Sequence, residues 1–182
     1  MLQIRIEGRG GQGAQLAGQI MATAFFREGK YIQSFATYGG ARRGTPVSSF
    51  LRVDSLPITL HCDIEKPDAI LCFDSSLLNE TLLRGATPQT KIMVNSTKNP
   101  DDFKHLGNYA ITTVNAVNIS SAHNLGRIVN SALMGAFAAL IGTPDIDNFL
   151  EVVREMSPVK IEENVASCRE GYDLIIKEKG AV

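Results

Sequence analysis

Residues 2–25, LQIRIEGRGGQGAQLAGQIMATAF, decide how the rest of the chain is read. Leu2, Ile4 and Ile6 alternate with Gln3 and Arg5, the period of a strand with one buried face. Leu16, Ile20, Met21, Ala24 and Phe25 then recur at helical spacing until Gly29 ends the run. Between strand and helix stand Gly8, Gly10, Gly11 and Gly13. Glycines there let the backbone turn sharply and approach a ligand closely. The amides that open the helix then face any arriving anion, with the helix dipole behind them. Gly8-Arg9-Gly10-Gly11-Gln12-Gly13 fits G-x-G-x-x-G in this context, with Arg9 as an added positive charge. The same glycines would equally serve a tight turn against the sheet with no ligand.

The strand, helix, strand theme continues. Tyr31–Thr37 and Val47–Val53 read as strands, separated by the polar glycine loop YGGARRGT. Ala69–Phe73 is an apolar run between Pro67-Asp68 and Asp74, suited to a strand buried on both faces. A short helix is expected over Leu77–Leu83, strands over Lys91–Asn95 and Tyr109–Val114, and a helix over about Ser121–Ile141. A further helix begins at TPDIDNFL, with Thr143 as candidate cap and Pro144 in the first turn, and a last one spans about Ile161–Lys179. The expected fold is one α/β domain over residues 1–182, three-layered, with a mostly parallel sheet and helices on both faces. A Rossmann-like glycine loop follows its first strand.

In such a sheet Ala36–Thr45 lies at the carboxyl end of the second strand, on the edge that carries the first glycine loop. Open α/β sheets bind ligands at that edge. Gly39, Gly40 and Gly44 free the backbone, Tyr38 offers a ring and a hydroxyl, and Arg42 and Arg43 offer forks suited to phosphate or carboxylate. A solvated basic loop is the plainer alternative. A dinucleotide enzyme would place an acid at the end of the second strand. That strand ends SFATYGG, and Glu28 comes too early. No Gly-Lys-Ser/Thr is present either, which excludes a P-loop.

Reacting groups are sparse. His61, His105 and His123 have no metal-ligand spacing. Asp68 and Asp74 bracket a strand and read first as turn or cap residues. Ser48-Ser49 lack a nucleophile elbow. Cys62, Cys72 and Cys168 form no CxxC pair and no cluster set, and read as buried, reduced thiols of a cytoplasmic protein. A net charge of −1 argues against a nucleic-acid binder. The opening MLQIRIEG lacks the pattern of a signal peptide, and the longest apolar stretch, Ser131–Gly142, reads as a buried helix too short to span a membrane. These features describe a binding and positioning module whose chemistry lies elsewhere.

GRGGQGAQLAGQIMATA followed by SFATYGGARRGTPVSSFLRV closely resembles the gamma subunit of the 2-oxoacid:acceptor (ferredoxin) oxidoreductases. The resemblance runs on through PDAILCFD, NSALMGAFAAL and NVASCREGYDL, and so covers nearly the whole chain. It implies a subunit of an enzyme that oxidatively decarboxylates a 2-oxoacid to an acyl-coenzyme A. Thiamine pyrophosphate is then expected on partner alpha and beta subunits and iron–sulfur clusters on a ferredoxin-like delta unit or on the beta subunit, with electrons leaving to ferredoxin or a similar acceptor. This chain would hold no complete active site. It would pack on the thiamine-bearing subunits on the coenzyme A side. The residues carried over to cofactor binding are Gly8, Gly10, Gly11, Gln12, Gly13, Tyr38, Gly39, Arg42, Arg43 and Gly44. No catalytic and no metal-binding residue is expected. Thr45 stands where the family often has a second glycine, and Asp74 matches a family position without an assigned role. The competing readings are a free-standing nucleotide-binding enzyme and a purely structural subunit.

Overall fold

A computed structural model of the chain describes residues 1–38, 44–60 and 62–180, with Tyr38 described by its backbone alone. Its sheet has the strand order β2-β3-β1-β4-β5-β6. These are β1 (Leu2–Arg9), β2 (Tyr31–Tyr38), β3 (Pro46–Asp54), β4 (Ala69–Cys72), β5 (Lys91–Asn95) and β6 (Ala110–Val114). β1, β4, β5 and β6 pair in parallel. β3 is antiparallel to both β1 and β2. All strands but β3 therefore point one way, and β3 is the return arm of a hairpin wedged between two like-directed strands.

Five α-helices accompany the sheet: α1 (Ala14–Arg27), α2 (Ala116–Ala122), α3 (Asn130–Ile141), α4 (Ile146–Met156) and α5 (Ile161–Gly180). They pack on one face, where Ile4, Ile6, Leu51, Leu71 and Met93 meet Ile20, Phe25, Leu133, Phe137 and Phe149 in one buried cluster. α3 explains the apolar run seen in the sequence, because every residue from Asn130 to Ala139 is buried. Close approach of α5 makes this possible. A Cβ on Gly171 would stand 2.2 Å from the Ala132 carbonyl oxygen, and one on Gly135 would stand 1.9 Å from that of Cys168. The opposite face carries its helical cover as 3-10 turns at Ser75–Leu77 and Pro100–Leu106, with Ile70, Cys72, Ile92 and Val94 buried beneath Leu78, Leu82 and Phe103.

Four sequence expectations change. The helix expected over Ser121–Ile141 is two helices, because Asn124 and Gly126 take positive φ values of 58° and 61° and turn the chain between them. In place of the helix expected over Leu77–Leu83 stands a 3-10 turn at Ser75–Leu77, capped by Asp74 and followed by non-helical turns. Asn79 then accepts from the Leu82 amide at 3.1 Å, a local bond that competes with helix. The cap of α4 is Asp145, which accepts from the Asp147 and Asn148 amides, and not Thr143. Cys62 is exposed, whereas Cys72 and Cys168 are buried as expected.

Candidate functional site

The first glycine loop is shorter than its motif suggests. Gly8 and Arg9 belong to β1 and pair with Val47 and Pro46 of β3. The turn itself is Gly10 to Gly13. Gly11 and Gly13 adopt φ values of 95° and 87°, in the left-handed region where a side chain is strained. Gly13 occupies the cap position of α1 without a side-chain bond, and no acid stands in the first turn. The opening amides of α1 are therefore unclaimed by any side chain, and the positive end of its dipole is uncompensated.

The second loop meets the first at this edge. The Gly10 amide donates to the Thr45 carbonyl at 2.8 Å, and the Gly44 amide donates to the Gly10 carbonyl at 3.1 Å. The hairpin from β2 to β3 thus delivers residues 44 and 45 onto the turn after β1, as the shared sheet edge implied. Gly39, Arg42, Arg43 and the side chain of Tyr38 lie outside the described residues.

Side chains brace the turn from within. Gln12 accepts the Arg9 amide through Oε1 at 2.7 Å. The Arg9 guanidinium donates to Asp74 Oδ2 at 2.8 Å, to Ser76 Oγ at 2.7 Å and to the Gly44 carbonyl at 3.3 Å. Arg9 is therefore committed to holding the turn against the segment after β4, and adds no free charge for a ligand. Partial burial of the Asp74 carboxyl opposes its charge, but the Ser76 hydroxyl and amide and the Arg9 guanidinium outweigh that and hold it below the usual carboxylate range. Asp68 has the turn role expected of it, accepting the Gln3 amide at 2.7 Å.

His61 lies outside the described residues, and the remaining expected candidates among the described residues do not converge here. His105 Nδ1 lies 2.9 Å from the Asp102 carbonyl oxygen, and His123 Nε2 lies 2.6 Å from Glu170 on α5. Among the described residues no group of three His, Cys, Asp or Glu side chains is placed to hold a metal ion. Burial pushes the thiols of Cys72 and Cys168 up to about 12, so neither ionises near neutral pH.

Two features escaped the sequence. Glu7 is buried on the second face of the sheet, accepting from Arg5 at 3.1 Å and from Ser48 Oγ at 2.7 Å. Asn130, the first residue of α3, lies against Gly13. A polar residue heading the apolar run NSALMGAFAAL was the only signal for it.

Comparison with known proteins adds to this geometry. Residues 3–174 match the family model described as pyruvate ferredoxin/flavodoxin oxidoreductase. The pyruvate synthase subunit PorC of Methanothermobacter thermautotrophicus is 36% identical over 180 residues, covering 97% of each chain. The common gamma subunit of the pyruvate/ketoisovalerate oxidoreductases of Pyrococcus furiosus is 35% identical, covering 95% of this chain and 96% of its own. The crystal structure of the pyruvate oxidoreductase subunit PORC of Thermotoga maritima superposes with a TM-score of 0.84 at 28% identity, covering 94% of this chain and 95% of that one. Among the described residues no helix is long and apolar enough to cross a membrane.

Proposed function

The chain belongs to the pyruvate ferredoxin/flavodoxin oxidoreductase family as a gamma subunit, and from that premise we propose that its two glycine loops form the coenzyme A side of the assembled active site. The observation that carries this reading is the pair of hydrogen bonds joining Gly10 to Thr45 and Gly44 to Gly10. They unite the uncapped start of α1 with residues 44 and 45 of the second loop, and the Arg42 and Arg43 that the sequence carries in that loop would add guanidinium charge to an edge of amide donors. Such an edge suits the phosphates of a coenzyme. The donor set fits that group, since the α1 start has no acidic residue to repel it.

In this arrangement the chain packs on the alpha and beta subunits, with a delta subunit completing the assembly. Thiamine pyrophosphate and iron–sulfur clusters on those partners supply the decarboxylation and the transfer of two electrons to ferredoxin or a similar acceptor. This chain supplies position: it anchors the coenzyme so that its thiol reaches the acyl group, and it excludes water from that side. It contributes no complete active site of its own.

The test uses the assembled complex. Arg42→Ala and Arg43→Ala each remove a charge-assisted bond worth about 1.5–3 kcal/mol, so the KM for coenzyme A rises by about tenfold or more. Release of CO2 from the 2-oxoacid in the absence of coenzyme A is unchanged. Unaltered coenzyme A kinetics in both variants would replace this reading with docking of the edge on the thiamine-bearing subunits.

A further inference from the structure

Among the described residues the largest fully buried side chain is a cation, Arg52, only 1% exposed. It stands in β3 between its register partners Gln3 of β1 and Gln33 of β2. Leu51 and Val53 on either side of it join the cluster under the helices, so strand alternation turns Arg52 to the other face. Its Nε donates to Gln3 Oε1 at 3.2 Å and its Nη1 to Gln33 Oε1 at 2.6 Å. Its Nη2 donates to the Asp63 carbonyl at 3.1 Å and to Cys62 Sγ at 3.6 Å. None of these acceptors is a carboxylate, and Arg52 forms no ion pair with any described residue. A buried charge without a counter-charge is costly.

Of the four acceptors the sulfur is the weakest, and it is the one that can react. Cys62 is exposed, whereas Cys72 and Cys168 are buried. It lines an open cleft together with Gln33, Ser34, Phe35 and Asp63. One sulfur thus has an unmatched guanidinium behind it and solvent in front. A strand cation held for stability alone would be matched by an acid, and an exposed cysteine in a loop needs no buried cation beside it. The pair suits a sulfur that gains negative charge by reaction.

We propose that Cys62 is a site of reversible oxidation by a peroxide, and that Arg52 holds the oxygen of the sulfenate formed there. The sulfur attacks one peroxide oxygen, and an S–O bond forms as the O–O bond breaks. The thiol is oxidised by two electrons and the peroxide is reduced by the same two. With hydrogen peroxide, the displaced hydroxide takes up the thiol proton and leaves as water. The sulfenic acid gives its proton to solvent, and its oxygen accepts from Arg52 Nη2 in a charge-assisted bond. Burial closes Cys72 and Cys168 to it, so no second thiol of the chain condenses with the product. A thiol from solution reverses the change. One molecule forms a mixed disulfide and releases water, and a second exchanges with it and frees Cys62. The proposal does not depend on the reading of the glycine loops.

The test treats the folded full chain with equimolar hydrogen peroxide, traps sulfenic acid with dimedone and locates the adduct by peptide mass spectrometry. The expected result is an adduct at Cys62 alone, abolished when dithiothreitol is added before the dimedone. Unfolding in urea separates Cys62 from Arg52, so the yield at Cys62 falls there by about tenfold or more, as for a lost bond to a charged group. Arg52→Gln removes the charge and lowers the yield in the native fold by a similar factor. The urea comparison decides the matter if that variant does not fold. Absence of an adduct at Cys62 in the folded, unmodified chain overturns the proposal. So does a yield that neither urea nor Arg52→Gln changes, which would make Cys62 an ordinary exposed thiol. Absence of the adduct in the peroxide-treated assembled complex also overturns it, since Cys62 would then lie beneath a partner.

Discussion

Arg9 Nε donates to Asp74 Oδ2 at 2.8 Å, joining the end of β1 to the turn after β4 across a sequence separation of 65 residues. This bond fixes the glycine turn to the parallel half of the sheet. Both side chains are partly exposed, at 35% and 26%, so the pair is worth roughly 0.5–1 kcal/mol.

Asp74→Asn isolates that charge, since the amide can still cap Ser76. The folded carboxyl lies below its ordinary value, so its contribution is present above the unfolded pKa of about 3.9. It is lost as pH falls through the still lower folded value. Urea unfolding of both proteins should show the variant less stable at pH 7, with the gap closing below about pH 4. A gap that stays constant with pH would mean the charge is not what stabilises this contact.

Thiol reactivity should separate the cysteines. Cys62 is exposed, while Cys72 and Cys168 are buried with thiols pushed up to about 12. The native chain should react with a thiol reagent at Cys62 alone near neutral pH, and at all three positions in denaturant. Rapid native labelling at Cys168 would show that α3 and α5 open readily.

Gly171→Ala tests the contact between those helices. The added Cβ would stand 2.2 Å from the Ala132 carbonyl oxygen and 3.2 Å from the Ala136 nitrogen, both backbone atoms that move only if α3 moves. Overpacking costs about 1–3 kcal/mol, against a propensity gain of about 1 kcal/mol. The expected result in chemical denaturation is a net loss of stability, and a gain would show that the helices have room to separate.

The start of α4 gives a paired comparison. Asp145 Oδ1 accepts from the Asp147 and Asn148 amides, both at 3.1 Å. Asp145→Ala should cost about 1 kcal/mol of stability, whereas Thr143→Ala should change it by less than about 0.5 kcal/mol. Equal effects would return the cap to Thr143.

The candidate edge was only partly legible. Glycines at a strand-to-helix junction announce a turn, but the spacing of Gly8 to Gly13 overstates its length, because Gly8 and Arg9 still pair with β3. Arg9 was the misleading residue, because a charged side chain beside glycines looks available until its partner is known. Asp74 and Ser76, which occupy it, are remote in sequence. Asn130 was illegible for the same reason. It stands among apolar residues at helical spacing, and only the packing of α3 beside α1 brings it to Gly13.

By itself the sequence determined the α/β class, the strand and glycine turn before α1, the buried character of α3 and the kinship with a gamma subunit. Hydrophobic period, glycine placement and motif spacing are local properties, and they survive in a single chain read end to end. Tertiary structure alone decided the reversed direction of β3, the bonds that join Gly10 to Gly44 and Thr45, the engagement of Arg9 and the meeting of two helix starts. Each depends on which distant segments the core brings into contact. That choice is made by the summed burial of many side chains, and no short stretch of sequence carries it.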